Sequence, residues 1–216
     1  MPRNYNDLAE KIGLFAGVVS LIQIDVMDGK FVPNRTWPYN PGDQHFEKIY
    51  KEEEGMPEWG IIDFEVDLMI RKPEDVVEKW VMAGAERIII HNEGVSDFDK
   101  IRDIVPKGTI ELGIAWSPST PLSSILPYLD RVDFVQCMGI AQIGFQGEPF
   151  DERVIEQIRS LHKIAPDMPI SVDGAVNFET AEILVKAGAT RLVSGSAILK
   201  SGDVSNAVLE LRNLVQ

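Results

Sequence analysis

The chain has few cysteines, few positive charges and no long apolar run. Cys137 is the single cysteine among 216 residues, so a disulfide within the chain is impossible. It lies in the apolar segment VDFVQCMG, which predicts a reduced thiol in a protein core. No stretch approaches the roughly 20 apolar residues of a membrane-spanning helix. The polar opening segment MPRNYNDLAEKIG lacks the apolar core of a signal peptide, so we expect a cytoplasmic protein.

Acidic residues outnumber basic ones by 34 to 21, which gives a formal net charge of −13. This charge opposes binding to nucleic acids and to anionic membranes. An anionic ligand would therefore have to be held by local backbone dipoles or by a few placed charges.

Strand-like and helix-like segments alternate along the whole chain. Seven near-continuous apolar runs predict buried parallel strands, each followed by a helical stretch, and a further helix precedes the first strand at residues 5–17. The predicted strands span residues 20–27, 61–70, 87–92, 109–116, 132–138, 168–173 and 190–196. The predicted helices span residues 42–54, 72–85, 95–105 (with Ser96 as a cap), 120–129, 151–165, 177–189 and 203–215. No linker interrupts the pattern, so we expect a single domain over residues 1–216.

This pattern fits either a (β/α) barrel or a doubly wound open sheet. No G-x-G-x-x-G motif follows an early strand, which weakens the dinucleotide-binding option. In a barrel the active site lies at the carboxyl ends of the strands.

Acidic residues lie near several of those strand ends. Asp25, beside Gln23, lies in IQIDVM, Asp67 in VDLM and Asp173 in SVDG. One such carboxylate is more often a turn cap or part of a buried ion pair. Three on separate strands indicate a site, because like charges repel unless a cation or a substrate compensates them. His91 ends a strand and could reach such a site, but we interpret it as structural.

Three methionines, Met27, Met69 and Met138, lie at a similar depth. Alone they would be core residues, but beside carboxylates they could form a soft, dry wall around an electron-rich intermediate.

Glycine-bearing segments lie at or just after the ends of the last three predicted strands. They are GIAQIGFQGEPF, DGAVN and SGSAIL. Glycine lets backbone N–H groups approach an anion, and barrels often bind phosphate at their last two βα loops. Ordinary tight turns are the alternative. The candidate phosphate-binding residues are Gly144, Gly174, Ala175, Gly195 and Ser196.

The chain resembles the ribulose-phosphate 3-epimerases over nearly its whole length. The resemblance rests on IDVMDGKFVPN, VDLMIRKPEDVVEKWVMAGAERIIIHNE, GIAWSPSTPL, VDFVQCM, GFQGEPF and ISVDGAVNFETAEILVKAGATRLVSGSAI. It implies a (β/α)8 TIM-type barrel of the ribulose-phosphate-binding kind and a phosphorylated ketopentose substrate. It also implies inversion at C3 by two acid/base aspartates, here Asp25 and Asp173, through an enediolate. The family's pocket methionines correspond to Met27, Met69 and Met138.

The sequence departs from the family pattern at several points. Gln23 and Asp67 occupy the positions of two histidines that bind a metal together with the two aspartates. The remaining set of Gln23, Asp25, Asp67 and Asp173 offers only oxygen ligands, which favours Mg²⁺ or Mn²⁺ over Zn²⁺, or no metal at all. The first strand is missing or atypical, the loop before residues 61–70 is long, Ala175 replaces a glycine, and AQIG replaces a Pro-Gly turn. Seven strands leave two sheet edges, which invite pairing. Distortion of the barrel, the long loop or another subunit could close the gap, and we expect a homo-oligomer.

Three functions stay open at this stage. The first is C3 epimerisation of a pentulose 5-phosphate, with a changed metal or none. The second is another enediolate reaction on a sugar phosphate, for which a lysine at the strand ends would be evidence. The third is a non-catalytic, phosphosugar-binding relic of the family.

Overall fold

The computed structural model describes residues 1–215, which contain seven strands in one parallel sheet. The strands are β1 (Leu21–Met27), β2 (Asp63–Met69), β3 (Arg87–His91), β4 (Glu111–Trp116), β5 (Phe134–Met138), β6 (Ile170–Asp173) and β7 (Arg191–Val193). Their order in the sheet is the order in the sequence, from β1 to β7. Sequential order is the topology of a (β/α) barrel, whereas a doubly wound sheet reverses direction at a switch point. The seven predicted strands are confirmed.

Helices alternate with these strands, and most are shorter than predicted. They are α1 (Tyr5–Gly13), α2 (His45–Tyr50), α3 (Val77–Met82), α4 (Phe98–Ile104), α5 (Arg153–Ile164), α6 (Ala181–Ala187), α7 (Ser196–Leu199) and α8 (Val204–Leu214). No strand precedes α1 in the described residues. Within the same residues, none of the helices has both the length and the apolar character needed to span a membrane.

Two local predictions were wrong. The segment 120–129 forms two 3-10 turns, Leu122–Ser124 and Leu126–Tyr128, because Pro127 has no N–H to donate to an α-helix. Helix α4 is capped by Asp97 and not by Ser96. The Asp97 carboxylate accepts a hydrogen bond from the Lys100 backbone N–H at 3.0 Å. Both residues are good caps, and the exact start of the helix decided between them.

Contacts along the chain form two compact units, Met1–Leu112 and Gly113–Gln216. In the first unit, an aromatic cluster anchors the long segment between β1 and β2 to the helices. The rings of Trp37 and Trp80 lie 6.0 Å apart, and Phe46 of α2 lies 4.3 Å from Trp80 of α3. Both tryptophans are fully buried, so burial of their large apolar surface stabilises this segment.

In the second unit, β5 and β6 pair so closely that only glycine fits at the end of β5. The Gly139 N–H donates to the Asp173 carbonyl at 2.7 Å. A Cβ atom on Gly139 would collide with the Gly174 carbonyl oxygen. The collision would involve backbone atoms, which cannot move aside as a flexible side chain can.

We predict that Gly139→Ala lowers the free energy of unfolding by about 2 kcal/mol or more, because overpacking against fixed atoms is costly. Urea unfolding followed by circular dichroism measures this. The matched control is Gly13→Ala, where a Cβ atom would meet nothing within 4 Å. Equal unfolding midpoints for Gly139→Ala and the control would contradict the prediction.

The first turn of α1 carries an acid-sensitive carboxylate. Asp7 accepts hydrogen bonds from the Lys11 ammonium and the Arg3 backbone N–H, each at 2.7 Å. Burial alone would raise the pKa of Asp7, but these partners lower it to about 2. A carboxyl whose pKa is lower in the folded state stabilises the fold above its ordinary value near 4, and that stabilisation is lost as the pH falls toward 2.

We therefore predict that Asp7→Asn lowers the free energy of unfolding at pH 7 by about 1 kcal/mol. The difference from the unsubstituted protein should shrink between pH 4 and pH 2. Urea unfolding at pH 7, 4 and 2 tests this, with the exposed Glu10→Gln on the same helix as the control. A difference that persists unchanged at pH 2 would refute the assignment to ionised Asp7.

Candidate active site

Two acidic side chains lie side by side on β1 and β2. The parallel register places Asp25 opposite Asp67, and Gln23 and Met27 are two residues away on the same face of β1. Asp67 is fully buried, whereas part of Asp25 is accessible. The Gln23 amide nitrogen donates to Asp25 Oδ1 at 3.0 Å. The structure therefore brings together Gln23, Asp25 and Asp67, three of the five predicted site residues on these two strands.

The surroundings of Asp25 favour its protonated form. Burial is the main cause of a raised pKa, and the negative charge of Asp67 raises the pKa further. The positive amino terminus, the hydrogen bond from Gln23 and the charge of His91 act in the opposite direction without cancelling the shift. A carboxyl group whose pKa is raised toward neutral pH can both donate and accept a proton near that pH.

His91 lies at the end of β3, beside the acidic pair. Its side chain is fully buried, and its Nε2 lies 2.9 Å from Asp67 Oδ1. Burial favours the neutral imidazole, but the charge of Asp67 and the hydrogen bond with it outweigh burial and raise the pKa of His91. Our interpretation of His91 as structural left this contact out. The available signal was its position at the end of a strand, at the same level as the aspartates.

The three predicted methionines are buried beside the acidic residues. Met27 and Met69 are register partners on β1 and β2, two residues beyond Asp25 and Asp67. Met138 is the register partner of Asp173 on β5 and β6. Their predicted role as a wall around the substrate stays a prediction.

The chain has an acidic group of the kind that can hold a divalent cation. Asp25 and Asp67, both in the first unit, each offer a carboxylate oxygen within 4.8 Å of the other. The predicted part of Asp173 in this group stays a prediction. Carboxylate oxygens are the ligands that hard cations such as Mg²⁺ prefer. Gln23 points its amide nitrogen at Asp25, and its predicted role as an oxygen ligand stays a prediction.

The loops after β6 and β7 are held together within the second unit. The Ser194 hydroxyl donates to the Val176 carbonyl at 2.8 Å, which joins the two loops. The Thr180 hydroxyl donates to the Ala175 carbonyl at the same distance. Ala175 has a φ of 52°, a conformation that glycine adopts more easily.

The predicted phosphate residues lie in or beside these loops. Gly174, with a φ of 97°, precedes Ala175, and Gly195 precedes the first residue of α7, Ser196. Gly144 lies in the loop after β5. The first residue of that loop, Gly139, donates a hydrogen bond from its N–H to the Asp173 carbonyl. Binding of phosphate by these residues stays a prediction.

The sequence analysis missed a buried ion pair on the same face of β2 as Asp67. Glu65 is 3% exposed, and its Oε2 lies 3.5 Å from Arg87 Nη1. Arg87 also forms an ion pair with Glu111, at 2.6 Å. The signal was a second acidic residue in the apolar run IIDFEVDLMI. A buried carboxylate needs such a partner, and Arg87 supplies it.

Comparison with known proteins gives a family for the chain. The model of the ribulose-phosphate 3 epimerase family matches residues 1–199. The chain is 31% identical to the ribulose-phosphate 3-epimerase of Bacillus subtilis over 201 residues, which cover 91% of this chain and 87% of that protein. It is 34% identical to the ribulose-phosphate 3-epimerase of Chlamydia muridarum over 192 residues, which cover 86% of this chain and 79% of that protein.

A solved structure supports the fold class. The 3-keto-L-gulonate-6-phosphate decarboxylase of Vibrio cholerae matches with a TM-score of 0.72 and 11% sequence identity, over 98% of this chain and 92% of that one. At that identity the likeness concerns the fold alone. Together with seven sequentially ordered parallel strands, it confirms the predicted TIM-type (β/α) class. The chain belongs to the ribulose-phosphate 3 epimerase family.

Proposed function

We propose that this protein interconverts the C3 epimers of a pentulose 5-phosphate. The observation that carries the proposal is that a chain of the epimerase family has aspartates, Asp25 and Asp173, at both positions that the resemblance assigns to acid/base residues. The curated epimerases among its relatives favour this function over a phosphosugar-binding relic and over another enediolate reaction.

The reaction requires two carboxyl groups. The ketone next to C3 acidifies the C3 proton, which one aspartate removes as a base to leave an enediolate. The other aspartate, in its protonated form, returns a proton to the opposite face of C3. A single base would return the proton to the face from which it came, and the configuration would not change. In the reverse direction, Asp25 and Asp173 exchange roles.

The environment of Asp25 suits this exchange of roles. Its raised pKa means that it can hold a proton for delivery, and the hydrogen bond from Gln23 stabilises the ionised form that acts as a base. Met27 and Met69 beside it are buried, so an apolar wall borders the carboxyl groups and limits access of water.

We also propose that the phosphate group binds at the loops after β6 and β7. Support comes from the positive φ angles of Gly174 and Ala175 and from the hydrogen bond between Ser194 and Val176, which keeps Gly195 and Ser196 beside them. Such turns present backbone N–H groups to an anion, and the protein as a whole is too acidic to attract one by net charge.

A divalent cation fits the acidic group. We propose that Asp25, Asp67 and Asp173 would hold it, and that Mg²⁺ or Mn²⁺ is favoured over Zn²⁺ because the donors are oxygens. A bound cation would offset the negative charge that develops on the enediolate oxygens. In the absence of a cation, protonation of one carboxyl group would relieve the repulsion within the group.

The remaining proposals concern the setting of the protein. A cytoplasmic location, a homo-oligomer and the absence of a nucleic-acid partner stay predictions.

The roles of the two aspartates can be separated by isotope exchange. We predict that Asp25→Asn and Asp173→Asn each lower kcat for epimerisation about 100-fold or more, which is typical for loss of a general acid or base. In D₂O, each variant should still exchange the C3 proton of one epimer, and the two variants should act on opposite epimers. NMR of ribulose 5-phosphate and xylulose 5-phosphate measures this.

The exposed Asp130→Asn is the control and should epimerise at the unsubstituted rate. Full epimerisation by either site variant, or exchange with the same epimer by both, would rule out the two-base assignment.

The metal preference can be tested on purified protein. We predict that the protein does not retain stoichiometric zinc, because an amide and three carboxylates bind zinc less well than imidazole does. The double substitution Gln23→His and Asp67→His should raise zinc affinity by orders of magnitude, and Gln23→His alone should give an intermediate value. Elemental analysis and competition with a chelator measure both effects. Stoichiometric zinc that survives a mild chelator in the unsubstituted protein would overturn this prediction.

A further inference from the structure

His91 is the one buried histidine of the described residues with an aspartate of the acidic group as its partner. It is fully buried, and Nε2 donates to Asp67 Oδ1 at 2.9 Å. The other ring nitrogen, Nδ1, is buried without a hydrogen-bond partner among the described residues. Buried polar atoms are nearly always paired, so an exception of this kind needs an explanation.

An ordinary core residue does not explain His91 well. A leucine would fill the same apolar surroundings without leaving a buried polar atom unpaired. The single polar contact of the imidazole is directed at the carboxylate that is the register partner of Asp25. His91 therefore leaves its Nδ1 without a partner while its Nε2 holds the Asp67 carboxylate by a hydrogen bond.

The loop after β1 holds the other side of the imidazole. The ring of Phe31 lies 5.3 Å from that of His91, at an interplanar angle of 49°. Phe31 also faces Gly94, where an added Cβ atom would lie 3.5 Å from its ring and 2.6 Å from the Ile70 carbonyl. Phe31 therefore packs against one side of His91, and Asp67 accepts the hydrogen bond on the other.

Asp28 fixes the position of Phe31. Its buried carboxylate accepts hydrogen bonds from the N–H groups of Lys30 and Phe31 through Oδ1, at 2.8 and 3.0 Å. Through Oδ2 it accepts one from the Arg71 N–H just after β2, at 3.2 Å. The loop after β1 is thus tied to the end of the strand that carries Asp67.

We propose that His91 is a positioning residue for the epimerisation: its hydrogen bond to Asp67, held in place by Phe31, sets the position of that carboxylate beside Asp25. His91 does not touch the reacting carbon in this role. Its effect passes through Asp67, whose carboxylate oxygen Oδ1 lies 2.9 Å from His91 Nε2. The inference rests on the proposed function and adds to it a residue outside the acidic group.

The test replaces His91 with residues that keep or lose the donor. His91→Gln retains an amide N–H at a similar reach, whereas His91→Leu keeps the bulk and loses the donor, and His91→Asn is too short to reach Asp67. Loss of a residue that orients an active-site carboxylate typically costs about 10- to 100-fold in activity. We expect that fall in kcat for the Leu and Asn variants, a KM within about twofold of the unsubstituted value, and rescue by Gln.

The exposed His162→Leu on α5 is the matched control and should retain full kcat. Urea unfolding of every variant shows whether it is folded at the assay temperature, and His91→Asn carries the test if His91→Leu does not fold. An unchanged kcat in the folded Leu or Asn variant would overturn the proposal, as would an equal loss in the Gln variant. An unsubstituted protein that is inactive with Mg²⁺, with Mn²⁺ and with chelator would instead refute the proposed function, and this inference with it.

Discussion

The repulsion between two carboxylates on neighbouring strands is the constraint that shapes this site. Asp25 and Asp67 are register partners, and Asp67 has no exposed surface. Burial and the charge of Asp67 both raise the pKa of Asp25. Gln23 donates to one member and His91 to the other, so each carboxylate has a compensating hydrogen bond. The same repulsion is what makes a cation, or a shared proton, chemically useful here.

Strand periodicity explains why these residues meet. Alternate residues of a strand share one face, so Gln23, Asp25 and Met27 project together from β1. The in-register pairing with β2 then places a polar or polarisable residue opposite each of them. The apolar residues between them face the other way, which lets a strand that looks hydrophobic in sequence contribute to a polar site.

In the second unit, close backbone packing constrains the loops after β5 and β6. The end of β5 approaches the start of the loop after β6 so closely that Gly139 cannot carry a side chain. The next loop contains Ala175 in a left-handed conformation, where the hydroxyl of Thr180 holds its carbonyl. Alanine at position 175, where the family pattern has glycine, is therefore compatible with the turn. Nearby hydrogen bonds maintain a backbone conformation that alanine disfavours.

The sequence by itself determined the seven strands, the fold class and the family, because apolar runs and long motifs are local signals. It also placed Asp25 and Asp67 at comparable strand positions. It did not determine the cap of α4, the two turns around Pro127, the ion pair of Glu65 with Arg87, or the contact of His91 with Asp67. The partners in both of those side-chain contacts are more than twenty residues apart, and only the register between β2 and β3 brings them together. Register depends on the packing of the whole sheet, so the tertiary structure decided which buried charges are compensated and by which residues.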